Sequence, residues 1–396
     1  MKYNFDEPVA RQGTNSVKYD SRKDIFGTED LIPMWVADMD FKCPPAIIEA
    51  LKKRLDHEIL GYTIRRDEYF TSLQDWLQKR YSWNVKKEWI SFSPGIVPAL
   101  NICVLAYTQP GDKIIIQPPV YFPFFNAVTD HGRELVLNQL SEKDGYWSFD
   151  LADLEQKAAE GAKMLILSNP HNPVGRAWKG DELKELAGIC RKYGLIILSD
   201  EIHSDLVLPG NKHTVMASLS GDIADITITC MAPSKTFNIA GLSTSSMIIS
   251  NKELKEQFDT MIGSLHITGG NIFGTEASIA AYSQGSEWLD ELLVYINNNI
   301  DYVIDSLGST GMIKPIRPEA TYMIWLDCRN MGMGTDELNK FFIEKASVGM
   351  SAGAIFGPGG EGYMRMNIAC PLDTVKKAVD NIEKALSALQ GNNSLS

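Results

Sequence analysis

Cysteine is scarce. The 396 residues hold six, Cys43, Cys103, Cys190, Cys230, Cys328 and Cys370, and no two form a CxxC pair. That spacing argues against a thiolate zinc site and against a disulfide scaffold. It reads as reduced, mostly buried thiols of a cytoplasmic chain. Long apolar runs are missing too. None approaches the roughly 18 residues that cross a bilayer. Met1 to Asp20 is polar and charged, without the apolar core of a secretion signal. Basic charge is in deficit, with 38 Lys and Arg against 50 Asp and Glu, a formal charge of −12. Such a surface repels phosphate backbones and anionic membranes, so neither nucleic acid nor membrane is an expected partner. There is no internal repeat, low-complexity tract or Gly/Pro/Ser linker. Only the stretch after Gln390 reads as a disordered tail.

What is present is an ordinary globular mixture, 44% apolar and 22% charged. The middle of the chain alternates short Ile/Leu/Val runs with amphipathic stretches. The runs are Trp89–Ser93, Lys113–Gln117, Glu134–Asn138, Lys163–Ser168, Leu195–Ser199, Asp225–Cys230 and Ser246–Ser250. Short continuous apolar runs are how strands buried on both faces read. In Asp181–Tyr193, Leu183, Leu186, Ala187 and Cys190 recur at helical spacing. The alternation predicts an α/β fold, a mainly parallel seven-stranded sheet sandwiched by helices. The C-terminal third differs, with long helical patterns at Glu287–Leu307, Thr335–Ala346 and Leu372–Leu389 around strands at Thr321–Asp327 and Gly362–Ile368. It predicts a smaller α+β domain (residues 287–396) joined by the N-terminal segment (residues 1–44), with residues 45–286 as the large domain.

In open α/β sheets, ligands lie beyond the carboxyl ends of the strands. Four polar constellations fall there. Leu165–Leu167 runs into Ser168-Asn-Pro-His-Asn172-Pro-Val-Gly175, where Asn172 is either a turn asparagine bonding its own backbone or an amide donor. Ile196–Ser199 runs into Asp200-Glu201-Ile-His203. A carboxylate at a buried strand end needs a donor, and none is adjacent. His203 by itself reads as structural. Asp225–Cys230 runs into Ala232-Pro-Ser234-Lys235, where a lysine in a partly dry pocket becomes a nucleophile able to form a Schiff base. Ser93-Pro-Gly95-Ile96-Val97 opens an apolar helix, whose free amides suit an anion. The loop Gly357–Gly362 is not a nucleotide loop, because a strand rather than a helix follows it. Each signal alone has a bland explanation. Together they describe pyridoxal 5'-phosphate, which needs a phosphate cradle, a lysine and an acid near its ring nitrogen.

The order Asn172, Asp200, Lys235, Arg365 resembles the aspartate-aminotransferase fold, fold type I of the pyridoxal-phosphate enzymes. The text is closer still to the cystathionine β-lyase or C–S lyase group within the class I and II aminotransferases. The matching stretches run from Pro33-Met-Trp-Val-Ala-Asp-Met-Asp-Phe41 and Gly61-Tyr62 through Pro118–Phe124, Asn169–Gly175, Ser199–Asp205 and Ala232–Leu242 to Glu319–Asp327. The resemblance implies that Lys235 carries the cofactor and, once released, takes the substrate α-proton. It implies that Asp200 pairs with the ring nitrogen, Asn172 donates to the ring hydroxyl and Tyr121 stacks on the ring, with His203 nearby. The Gly95, Ile96 and Val97 backbone and Ser234 would hold the phosphate. Tyr62 would reach a neighbouring subunit's site, which makes the enzyme a homodimer. Arg365 would clamp the substrate carboxylate, Ala37 would assist, Trp35 would shape the pocket, and Tyr322 would join them.

Two departures are informative. Relatives of aspartate aminotransferase carry a phosphate-binding arginine eight positions after the lysine, and here that position is Ser243. Three before the lysine stands Ala232. Both departures fit the lyase branch and leave open what balances the phosphate charge. The expected activity is β-elimination from S-substituted cysteines, cystathionine yielding homocysteine, pyruvate and ammonia. An aminotransferase and a cofactor-binding regulator on the same fold are the alternatives. A nicotinamide-binding protein fails for want of GxGxxG after the first strand.

Overall fold

The computed structural model describes residues 2–393. Its main sheet has seven strands: β1 (Ile90–Ser93), β2 (Lys113–Ile116), β3 (Glu134–Leu137), β4 (Met164–Ser168), β5 (Ile196–Asp200), β6 (Thr227–Met231) and β7 (Ser245–Ile248). The spatial order is β1-β7-β6-β5-β4-β2-β3. β7 runs antiparallel to both neighbours, and the remaining pairings are parallel. All seven are the seven expected apolar runs, with ends displaced by a residue or two.

Two-faced burial explains those runs. Ile114, Ile116, Met164 and Ile166 face α1 (Ile96–Tyr107) and the helix Lys252–Ser264. The alternate residues Ile115, Leu165, Leu167 and Ile197 face the helices Leu151–Ala159 and Gly180–Tyr193. A strand turns successive side chains to opposite faces, so both sets must be apolar. In Gly180–Tyr193 the inner stripe is Leu183, Leu186, Ala187 and Cys190, as the periodicity predicts.

A second sheet comprises β8 (Lys314–Ile316), β9 (Met323–Asp327), β10 (Ser351–Ala352) and β11 (Tyr363–Asn367), in the order β8-β9-β11-β10 and antiparallel throughout. The N-terminal segment joins this region, with Ile32 and Pro33 paired parallel to Val348 and Gly349. The long helices Ser286–Gly308 and Leu372–Asn393 flank it. Two expectations change. The helix at Thr335 is α-helical only to Lys340 and then widens into a π turn, Phe341–Lys345. The residues after Gln390 are helical as far as Asn393, and positions 394–396 of the expected tail lie outside the described residues. Among the described residues, no helix is long and apolar enough to cross a membrane.

The register of the main sheet decides where the chemistry sits. Ser168 pairs with Asp200, and Asp200 with Cys230, so β4, β5 and β6 end level with one another. The loops that follow carry Asn172, Asp200 and Lys235. The Asn172 turn is pinned at Gly175, whose carbonyl accepts the amides of Glu319 (2.8 Å) and Ala320 (3.0 Å). Gly175 has φ +76, and a Cβ there would lie 2.6 Å from Pro318 Cβ. Gly175→Ala therefore meets both backbone strain and a clash. It should lower stability by more than about 1 kcal/mol in urea unfolding.

Candidate active site

The three loops and the N-terminus of α1 enclose a cavity of about 200 Å³. Ten of the expected residues line it: Ala37, Gly95, Ile96, Val97, Tyr121, Asn172, Asp200, His203, Ser234 and Lys235. Gly95 has φ +156 and ψ 167, a region open almost only to glycine, and it turns the chain from β1 into α1. The first-turn amides of Ile96 and Val97 have no carbonyl partner within the helix. Pro98 contributes no N–H.

Lys235 donates from Nζ to the Ala37 carbonyl at 2.6 Å. The Tyr322 hydroxyl donates to the same oxygen at 3.0 Å. Tyr322 therefore lies behind Ala37 as a prop for its carbonyl. Asn172 is buried, and its Oδ1 accepts from Arg365 Nη1 at 2.9 Å. That bond fixes the amide orientation and leaves Nδ2 as a donor, so Asn172 is more than a turn asparagine closing on its own backbone. Arg365 Nη2 also donates to the Trp35 carbonyl (2.9 Å) and Ser351 Oγ (3.3 Å), while its Nε is buried without a partner. The guanidinium lies against the Phe356 ring, 4.8 Å from its centroid.

Two expected residues stand apart. Trp35 contributes its carbonyl, while its ring packs edge-on against Phe26 and Nε1 donates to the Lys18 carbonyl at 3.0 Å. The indole is not among the groups lining the cavity, and the Lys18 carbonyl holds its one donor. Tyr62 is fully exposed, in a stretch without helix or strand, and touches nothing in its own site.

The family profile for aminotransferase class I and II matches residues 29–382. The chain belongs to this family. Cystathionine beta-lyase PatB of Bacillus subtilis (strain 168) is 46% identical over 387 residues, covering 97% of this chain and 100% of that protein. Among solved structures, cystalysin from Treponema denticola, which contains a pyridoxal 5'-phosphate cofactor, superposes with a TM-score of 0.96 and 38% identity, covering 98% of this chain and 100% of that one. The PLP-bound C-S lyase from Staphylococcus hominis superposes with a TM-score of 0.91 and 36% identity, over 97% of this chain and 98% of that one.

In this aminotransferase-family site, burial governs the charges. It pulls the Lys235 amine down to about 8, against the charges of Asp38 and Asp200, while Arg365 pulls the same way as burial. It pushes the Asp200 carboxyl up to about 7, although the Ile202 amide and Lys235 draw it down. His203 falls to about 3 through burial, with Lys235 and Arg365 adding to the fall, so its ring is neutral. Arg365 is lowered by burial to about 10 and stays charged at neutral pH. Among the described residues lining the cavity, Lys235 is the one cationic side chain.

Sequence reasoning missed several residues. Ser168 Oγ accepts the Asn172 amide at 3.2 Å, and Ser168, Ile202, Ser243 and Thr244 all line the cavity. Asn367 Nδ2 bonds the carbonyls of Val36 (2.5 Å) and Asp38 (2.7 Å). Asn238 donates to those of Met39 (2.9 Å) and Phe41 (2.8 Å). Asn367 had a signal: it lies two residues after Arg365, hence on the same strand face.

The raised Asp200 carboxyl has a consequence for the ligand-free protein. A carboxylate whose folded-state pKa exceeds its unfolded value near 3.8 costs stability as pH rises from there to about 7. Asp200→Asn removes that cost. Its unfolding free energy relative to wild type should therefore increase from about pH 4 to pH 7, by up to about 4 kcal/mol, in paired denaturation series.

Proposed function

We propose that this protein is a pyridoxal-phosphate-dependent carbon–sulfur β-lyase, acting on S-substituted L-cysteines such as L-cystathionine. The observation that carries the reading is the convergence of Lys235, Asp200 and Asn172 on one cavity, with Arg365 bonded to Asn172. The 46% identity to a cystathionine β-lyase along nearly the whole chain supports it.

The residues fit the cofactor. Asp200 is a dry carboxylate that accepts the Ile202 amide at 3.1 Å, and among the described residues it has no cationic hydrogen-bond donor of the kind a protonated pyridine nitrogen provides. Asn172 Nδ2 suits the ring oxygen and the Tyr121 ring suits the ring face. The Ile96 and Val97 amides with the Ser234, Ser243 and Thr244 hydroxyls suit the phosphate. When bound, the cofactor supplies an electron sink for the pair left at the substrate α-carbon.

This chain's own groups do the rest. Arg365, buried with an unpaired donor, holds the substrate carboxylate bidentately and fixes which bond at the α-carbon faces Lys235. The Lys235 amine, lowered to about 8, is neutral often enough near pH 7 to take the α-proton. The thiolate then leaves Cβ and collects a proton. With one water consumed, the products are a thiol, pyruvate and ammonium. For cystathionine the thiol is homocysteine.

The proposal includes the division at residues 44/45 and 286/287 and a cytoplasmic homodimer with shared sites. Tyr62 lies among the exposed Ile59, Leu60 and Ile64, an apolar stretch with a reason to meet another surface.

Purified protein given the cofactor and L-cystathionine, with no keto acid, should release pyruvate and free thiol together over many turnovers. Dependence on an added keto acid, with a new amino acid formed, identifies an aminotransferase instead. Lys235→Ala should lose turnover by at least about a thousandfold. Arg365→Lys should chiefly raise KM, since an ammonium cannot grip a carboxylate at two points. Lys235→Ala and Tyr62→Ala chains, each impaired alone, should recover activity when mixed and refolded, because the hybrid dimer holds one intact site. Failure to recover rejects the shared site.

A further inference from the structure

The strip over the cavity ends in a charge cluster that the proposed mechanism does not use. The peptide bond from Ala37, whose carbonyl holds Lys235 Nζ, leads directly to Asp38. The Asp38 carboxylate is gripped at both oxygens by Arg11, at 2.9 and 2.6 Å. Arg11 also reaches Asp40 at 2.7 Å. Lys18, almost completely buried, lies 3.1 Å from Asp40 and 3.9 Å from Asp38. The Tyr19 hydroxyl completes the group on Asp40 at 3.0 Å. Two cations thus share two carboxylates, the nearer one residue along the chain from the carbonyl that holds Lys235, and the backbone of the strip is fixed by Asn367 and Asn238.

We infer that Asp38 is a positioning residue for Lys235: its carboxylate, partly neutralised by Arg11 and Lys18, sets how readily the Lys235 amine gives up its proton. The inference rests on reading Lys235 as the base. A lysine in a dry pocket is a weak base unless a negative charge is near, and too strong a base if that charge is bare. The charged and titratable groups around Lys235 are few. Asp38 lies on the strip, Asp200 and His203 follow β5, Arg365 is on β11, Tyr121 lines the cavity and Tyr322 shares the Ala37 carbonyl. Of the two carboxylates, Asp200 is committed to the cofactor ring in the proposed mechanism. Asp38 is the one left to act on the amine, and Arg11 attenuates it from a segment more than twenty residues upstream.

The test uses the full-length protein with cofactor removed. Trace acetylation of amines across about pH 6 to 10, with Lys235 followed by peptide mass spectrometry, reads the fraction of neutral amine without any turnover. Asp38→Asn removes the charge that favours the protonated amine. Lys235 should then be acetylated on the order of threefold faster near neutral pH. Arg11→Gln unmasks that charge and should slow the labelling to a similar degree. Asp38→Glu should stay near wild type, and distant lysines should not change. General loosening of the fold would speed labelling in both charge variants, so shifts in the same direction, or none, overturn the inference. Borohydride reduction of the wild-type holoenzyme separately identifies the lysine that carries the cofactor. A tag elsewhere would reject the proposed function while leaving the labelling result interpretable.

Discussion

A carboxylate at the end of a strand buried on both faces has no water to hold its charge. Asp200 is in that position, and the surrounding site is arranged around it. β4 and β6 flank β5 and end level with it, so the loops after all three strands meet at that carboxylate. One delivers Asn172 and the other Lys235. Burial that makes Asp200 a poor anion also makes Lys235 a poor cation. In the proposed function the same dryness prepares an acceptor for a protonated ring and an amine free to act as a base.

The second organising element is the strip from Trp35 to Phe41. It has no regular structure beyond the two-residue pairing just before it, yet its carbonyls are almost all claimed. Arg365 takes Trp35, Asn367 takes Val36 and Asp38, Lys235 and Tyr322 take Ala37, and Asn238 takes Met39 and Phe41. Irregular backbone can be buried only if its polar groups are paired. Here the donors come from β11 of the smaller sheet and from the segment after β6 of the main one, so the strip ties the two together. A shift of the strip would be felt at Lys235 and Arg365 together.

Much of this was legible in the residues. The seven strands were, because burial on both faces forces continuous Ile, Leu and Val in short runs. The helix Gly180–Tyr193 was, because its inner stripe must repeat at helical spacing. Asn172, Asp200, Lys235 and the Gly95 turn were legible as polar exceptions at strand ends. The π turn at Phe341–Lys345 was not, since a periodicity of apolar residues does not distinguish a widened turn from an α-helical one. Nor was the direction of the Trp35 ring, which depends on a carbonyl seventeen residues away in sequence, that of Lys18.

The amino-acid sequence by itself determined which residues are available for chemistry and the order in which strand ends present them, because both follow from local burial patterns. Tertiary structure alone decided who touches whom. Arg365 meets Asn172 across 193 positions, and Lys235 meets the Ala37 carbonyl across 198. Such contacts depend on how two sheets and an irregular strip settle against each other, and no periodicity along the chain encodes that distance. The charges of the site were decided there too, since a pKa is set by what is packed around a group rather than by its neighbours in sequence.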